Sequence, residues 1–127
     1  MKLLIILICI GTTSVFANNT LIQKCNNFDS YSCLILYKKA LESDSKKKIS
    51  SYFSKAEKLL LKECSIHDCY NLVCLYAIAG KKEKALKYLK KELDQGCKDW
   101  NAYQNDPDLK NIRSTKKFLQ LINQYKK

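Results

Sequence analysis

Apolar residues recur at steps of three and four along most of the chain, which is the spacing of one face of an α-helix. In residues 49–63 the pattern leaves lysines on one side and lines the other with Ile49, Tyr52, Phe53, Ala56, Leu59 and Leu60. Residues 68–79 are apolar almost all round, which is typical of a helix in the middle of a stack. No stretch alternates apolar and polar residues as a strand does. The pattern therefore predicts an all-α protein.

Two glycines mark the ends of predicted helices. Gly80 follows the apolar helix, and Gly96 suits the left-handed position that often ends a helix. Between them, one face of a further helix is formed by Ala85, Leu86, Leu89 and Leu93. The helices on either side of Gly80 should therefore form an antiparallel hairpin. Residues 32–41 should pair in the same way with residues 49–63, across a polar loop at 42–48.

The C-terminal segment predicts a turn and then a closing helix. Pro107 forbids an ordinary helix interior, so Asp106 and Asp108 beside it are assigned to a turn. Ser114 is a suitable N-cap for the last helix. The apolar stripe of that helix is Phe118, Leu121, Ile122 and Tyr125.

An approximate repeat indicates how the helices are arranged. Cys33 and Cys69 have an offset of 36 residues, and the same offset aligns residues 52–53 with residues 88–89. Helix pairs that recur at this spacing are typical of helical repeat proteins. We predict stacked antiparallel helix hairpins with a C-terminal capping helix.

The N-terminus resembles a secretory signal peptide, with Lys2, a short apolar run at 3–10 and small residues ending at Ala17. The run is shorter than the roughly 20 residues of a membrane span, so no transmembrane segment is predicted. A lipid anchor on Cys9 is disfavoured because Ile8 stands where a small residue is wanted. We expect a signal peptide at 1–17, a single domain at 18–127, and a periplasmic or secreted protein.

The net charge of +11 comes from lysine, since Arg113 is the only arginine. Arginine is the residue that suits bidentate recognition of phosphate, so no specific nucleic-acid site is predicted. A charge-driven attraction to an anionic polymer or a membrane surface is the leading alternative function, and it should weaken with added salt.

Six cysteines follow the predicted signal peptide, and in a short exported chain they imply disulfides: Cys25, Cys33, Cys64, Cys69, Cys74 and Cys97. A disulfide needs Cα atoms within about 7 Å, whereas eight residues of helix span roughly 12 Å. Pairing Cys25 with Cys33 therefore requires a turn, for which residues 26–30 have the right composition.

Cys64 can meet Cys69 only if the helix breaks at residues 65–68, where Ser65 and Asp68 offer capping oxygens. We predict this pair as the second disulfide. Cys74 with Cys97 is considered as a third pair, and a buried, unoxidised Cys74 thiol is the alternative.

No metal, cofactor or catalytic residue is predicted. Cys64-x-x-His67-x-Cys69 lacks the paired spacing of strong zinc motifs, and His67 has no visible orienting partner. Ser43-x-x-Lys46 and Ser114-x-x-Lys117 match one element of the penicillin-interacting serine enzymes, but the elements that accompany it in those enzymes are missing.

Residues 70–80, YNLVCLYAIAG, and 84–89, KALKYL, resemble the helix pair of a tetratricopeptide repeat. The continuation resembles the tail of some bacterial tetratricopeptide arrays through Trp100, Asn105, Asp106, Pro107, Asp108, Leu109, Ile112, Arg113 and Phe118. This resemblance covers residues 68–125. It implies a protein- or peptide-binding module without catalytic activity, in which Tyr70 and Asn71 on the first helix of the pair contact the partner.

The cysteine positions resemble those of the exported, cysteine-rich Sel-like repeat proteins of bacteria. Cys25 to Cys33 and Cys64 to Cys69 stand where one helix pair ends and the next begins. The chain departs from the Sel-like pattern in lacking glycines in the first unit and in its shorter second spacing. Some Sel-like relatives carry a β-lactamase label, so a β-lactam-interacting hydrolase is the remaining alternative.

Overall fold

The computed structural model describes residues 9–43, 45–66 and 68–127, with side chains from residue 15 onward. The chain divides into two compact units, Met1–Ala56 and Glu57–Lys127, called here the N-terminal and the C-terminal unit. The division falls within one long helix. Every regular element in the described residues is helical, which confirms the all-α prediction.

The N-terminal unit contains α1 (Cys9–Asn26), α2 (Ser30–Glu42) and the first part of α3 (Lys46–Cys64). α1 and α2 are antiparallel, because the Cys25–Cys33 disulfide joins them near the turn and Lys39 Nζ reaches Asn18 Oδ1 at 2.7 Å further along. The rings of Tyr37 and Phe53 meet edge to face at 5.5 Å and connect α2 with α3.

The C-terminal unit is built around α4 (Tyr70–Ile78) and α5 (Lys82–Asp94). Gly80 has a φ of +72°, which allows the tight turn between them. Six successive residues of α4, 72–77, are buried, as its apolar sequence predicts. The end of α3 is connected to this hairpin by the Tyr76 hydroxyl, which donates to Glu57 at 2.8 Å.

Four short elements complete the C-terminal unit: α6 (Trp100–Asn105), a 3-10 helix (Pro107–Leu109), α7 (Lys110–Arg113) and α8 (Lys116–Tyr125). The 3-10 helix packs on α4, and α7 packs on both helices of the hairpin. α8 lies on α5, where Lys117 Nζ is 2.6 Å from Glu83 Oε2. Leu109, Ile112 and Phe118 bring these elements into the core.

Most of the predicted helices are present, with small changes at their ends. The polar loop predicted at 42–48 is shorter, because α2 continues to Glu42 and α3 begins at Lys46. α1, α6 and α7 were not predicted as helices. Ser114 is not the N-cap of the last helix as predicted, because it ends α7, and Thr115 instead accepts the Phe118 N–H at 3.3 Å.

Two of the three considered disulfides are present. Cys25–Cys33 and Cys64–Cys69 have Cα–Cα distances of 4.8 and 4.3 Å, and each spans a break between helices as predicted. The Cys74–Cys97 pair is wrong, since both residues carry thiols. The reason is direction: the Cys74 thiol faces Asp106 and Asp108, whereas Cys97 faces Glu92 at the far end of α5.

Of the predicted signal peptide, residues 1–8 lie outside the described residues, and residues 9–17 belong to α1. The cleavage position stays a prediction. No helix in the described part of the chain has the length and apolar character that crossing a membrane requires.

Candidate binding cleft

A cleft of about 610 Å³ opens in the C-terminal unit. It lies where the segment before α4, the end of α5 and the start of α6 meet. Its lining residues are Asp68, Tyr70, Glu92, Gln95, Cys97, Lys98, Asp99, Ala102 and Tyr103. The volume is within the range of about 300–1,000 Å³ that is usual for ligand sites.

Glu92 is the buried acidic group of the cleft. Its position on α5 continues the apolar face of Ala85 and Leu89, and only 3% of its surface is exposed. Glu92 Oε2 accepts the backbone N–H of Cys69 at 2.7 Å. Cys69 precedes the first residue of α4, so this contact ties α5 to the beginning of α4 and satisfies a buried donor.

The Glu92 carboxylate has no basic partner among the residues that the structure describes, since no lysine or arginine there lies within 4.0 Å of it. Burial raises its pKa above the ordinary value. The Cys69 N–H and the Cys97 thiol lower this pKa, and Asp68 raises it again through its charge and through a side-chain hydrogen bond with Glu92. The cleft therefore brings the buried Glu92 and the exposed Asp68 within hydrogen-bond reach of each other, with no lysine or arginine of the described residues paired to Glu92.

Aromatic rings form the other wall. The rings of Tyr70 and Tyr103 are 6.0 Å apart, and Trp100 meets Tyr103 edge to face at 5.7 Å. The Tyr103 hydroxyl donates to the Cys97 carbonyl at 3.2 Å, and the Tyr70 hydroxyl donates to Asp106 Oδ2 at 2.6 Å. Both rings are therefore held in fixed positions before any ligand arrives.

Cys97 places a thiol in the cleft wall. Burial raises the pKa of this thiol, and the carboxylates of Glu92 and Asp68 raise it further. A raised pKa lowers the fraction of thiolate, which is the nucleophilic form. The surroundings of Cys97 thus disfavour a role as nucleophile.

One group in the described residues has side chains that could hold a metal ion: Cys74, Asp106 and Asp108, with ligand atoms within 4.8 Å of one another. The Asp106 oxygens already accept the Tyr70 hydroxyl and the Asp108 N–H at 2.9 Å, which fixes the 3-10 helix against α4. The zinc alternative considered for Cys64 and Cys69 is excluded by their disulfide. His67 lies outside the described residues.

The two serines of the S-x-x-K matches are placed at helix ends. The Ser43 hydroxyl donates to the Ala40 carbonyl at 3.0 Å, and Ser114 ends α7. Lys117, the lysine of the second match, is in an ion pair with Glu83. Neither match assembles a contact between a serine hydroxyl and a lysine amine in the described residues.

Of the two predicted partner-binding residues, Tyr70 lines the cleft, whereas Asn71 is half-buried on α4 and is not among the lining residues. Sequence reasoning missed the acidic residues Asp68, Glu92 and Asp99. A signal for Glu92 was present: it interrupts the apolar stripe of an otherwise regular amphipathic helix. A charge on the buried face of a helix requires a structural or functional reason.

The chain matches no protein-family model, no curated protein and no solved structure. The fold itself defines the class: an all-α protein of packed helix pairs with two disulfides, compatible with a helical repeat fold.

Proposed function

We propose that the protein is an extracytoplasmic binding module of the tetratricopeptide or Sel-like kind, which binds a segment of a protein or peptide and catalyses no reaction. The observation that carries this proposal is the cleft of about 610 Å³ beside the first helix of the α4–α5 hairpin. The two disulfides are compatible with an oxidising compartment.

The composition of the cleft suits a peptide. Tyrosine and tryptophan are enriched at protein interfaces, where they offer large contact areas at a small entropic cost. Tyr70, which is half-buried, supplies such a surface, and the buried Tyr103 packs against it. Hydroxyl contacts keep both rings ordered. An ordered wall favours binding because less side-chain freedom is lost when a partner arrives.

The charge-driven alternative is supported by the lysine surface. Lys84, Lys90 and Lys117 form ion pairs with carboxylates, yet the net charge of +11 leaves many lysines in excess. Such a surface attracts anionic polymers and membranes without a defined site. Its binding would fall steeply with added salt, because counterions screen exposed charges.

Site-specific photocrosslinking in the exporting cell tests the proposal. A photoreactive amino acid replaces Ala102, which lines the cleft, and in a matched control it replaces Lys116, which is exposed on α8 and lies outside the cleft. Cells are irradiated in low-salt and in high-salt medium, and the adducts are identified by mass spectrometry.

A discrete protein adduct that forms from position 102, is absent from position 116 and survives high salt supports the cleft as a binding site. Equal adducts from both positions that disappear in high salt would support the charge-driven alternative. The absence of any adduct from position 102 would count against the proposed function.

A further inference from the structure

We propose that the cleft recognises a cationic side chain, lysine or arginine, on the bound segment, and that Glu92 and Asp68 together form its binding subsite. This inference rests on the proposed function and specifies its ligand. It depends on three features of the cleft: the local charge, the surroundings of Glu92 and the aromatic wall.

The local charge is opposite to that of the whole protein. The lining carries three carboxylates, those of Asp68, Glu92 and Asp99, and one ammonium group, that of Lys98. The complete chain has a net charge of +11. The positively charged surface of the protein therefore repels cations, and the negatively charged cleft is the place where a cation is expected to bind.

The contacts of Glu92 leave a charge to be neutralised. Its hydrogen-bond partners are the Cys69 backbone N–H, the Cys97 thiol and the Asp68 carboxyl group, none of which is a cation. Asp68 lies close enough to interact with it electrostatically. The two carboxyl groups are close enough to share a proton, which lowers their mutual repulsion, and a bound cation can take the place of that proton because both carboxylates then attract it.

The Tyr103 hydroxyl lies near the same carboxylates. The pKa of the buried Tyr103 hydroxyl is raised by burial and then by Glu92, Cys97, Asp99 and Asp68. The half-buried Tyr70 ring adds a second attraction, since cations stack on aromatic faces within about 6 Å of the ring centre.

A purely structural role for Glu92 is the competing explanation, because its carboxylate accepts the Cys69 N–H at the beginning of α4. Glu92→Gln separates the two roles. The amide oxygen of glutamine can still accept that N–H, so the connection between α5 and α4 is kept, whereas the negative charge is removed.

The experiment is a titration of the purified, oxidised protein by calorimetry, with the fluorescence of Trp100 as a second signal. Three short capped peptides are used, which carry lysine, norleucine or glutamate at one central position between the same neighbours. Norleucine keeps most of the lysine stem and removes the charge. The variants are Glu92→Gln, Asp68→Asn and, as a matched control outside the cleft, Glu83→Gln.

The lysine peptide should bind at least about tenfold more tightly than the norleucine peptide, and the glutamate peptide more weakly than both. Glu92→Gln should remove most of the preference for lysine, Asp68→Asn should reduce it, and Glu83→Gln should leave it unchanged. Thermal unfolding checks that each variant is folded. If Glu92→Gln does not fold, the Asp68→Asn variant provides the test, because Asp68 is exposed.

Equal affinity for the lysine and norleucine peptides, or an unchanged preference in Glu92→Gln or Asp68→Asn, would overturn the inference. The proposed function survives that outcome if photocrosslinks still form from position 102. It fails separately if those crosslinks are absent, so the two failures can be told apart.

Discussion

Two turns of the molecule have a residue with a positive φ, which suits glycine in one turn and is unfavourable for phenylalanine in the other. Gly80, between α4 and α5, has a φ of +72°, and Phe28, between α1 and α2, has a φ of +68°. Glycine adopts this left-handed region freely, whereas a side chain costs roughly 1–2 kcal/mol there. Phe28 is also 76% exposed, so little burial offsets the cost.

Substitutions at these two turns should act in opposite directions. Gly80→Ala should lower the free energy of unfolding by about 1 kcal/mol, and it should do so through backbone strain alone, because an added Cβ meets nothing within 4 Å. Phe28→Gly should raise the free energy of unfolding by about 0.5 kcal/mol. Glycine relieves the backbone strain, but it also loses more conformational entropy on folding, which offsets part of the gain. Urea denaturation measures both, with Phe28→Leu as a control that keeps the Cβ. A Phe28→Gly variant no more stable than Phe28→Leu would contradict this account.

The residues that sequence reasoning found and missed have physical reasons. Tyr70 was identified because it opens a recognisable helix pair. Glu92 was missed because a glutamate on a lysine-rich helix is normally assigned to solvent, and only the packing of α5 against α4 shows that it is buried. The Cys74–Cys97 pair failed because spacing does not reveal the direction of a side chain.

At the scale of elements, helices with a regular apolar pattern were predictable, whereas the shortest elements were not. α1, with 18 residues, was missed because residues 9–17 were assigned to the signal peptide. α3, α4, α5 and α8 follow from apolar spacing, with ends that differ by a few residues. α6 and α7 have six and four residues, and helices this short depend on tertiary contacts. Asp99 caps α6 by accepting the Ala102 N–H at 3.0 Å, but one such residue does not distinguish a short helix from a turn.

The connection between α5 and α4 through Glu92 predicts a characteristic dependence of stability on pH. The folded-state pKa of Glu92 is raised by burial and by Asp68, so it exceeds the unfolded value. The cost of the buried charge is therefore absent at low pH, where Glu92 is protonated in both states, and it develops as the pH rises through the folded pKa.

Glu92→Gln should accordingly be more stable than the wild type at pH 7, and the difference should shrink toward zero below about pH 4. Urea denaturation of both proteins across this pH range measures the difference, with Glu83→Gln as the exposed control. Glu92→Ala should be less stable than Glu92→Gln by about 1–3 kcal/mol, because the buried Cys69 N–H loses its acceptor. If Glu92→Gln is less stable than the wild type at pH 7, the Glu92 charge stabilises the folded state.

If the Glu92 charge serves ligand binding, the Glu92→Gln variant should be more stable than the wild type and should bind the lysine peptide less tightly. Natural sites commonly retain groups that destabilise the fold, because a ligand compensates for them when it binds. A structural charge would produce the reverse, with stability lost in the glutamine variant and peptide binding unchanged.

For the whole molecule, the central feature is a negative cleft on a strongly positive protein. The net charge of +11 repels a cationic peptide at long range, while the cleft attracts it at short range. Added salt screens both effects, which have opposite signs. The affinity for a lysine peptide should therefore change little with salt, whereas any affinity for a polyanion should fall steeply.

Binding of a cation in the cleft is tested most directly by titrating the ¹⁵N-labelled protein with the lysine peptide. Backbone NMR shifts are followed at low salt and at about 0.5 M salt, where the Debye length is under 10 Å. We expect shifts concentrated at Asp68, Tyr70, Glu92, Cys97 and Tyr103, at similar peptide concentrations in both conditions. Shifts spread over the lysine-bearing helix faces, or an absence of shifts at the cleft, would contradict this expectation.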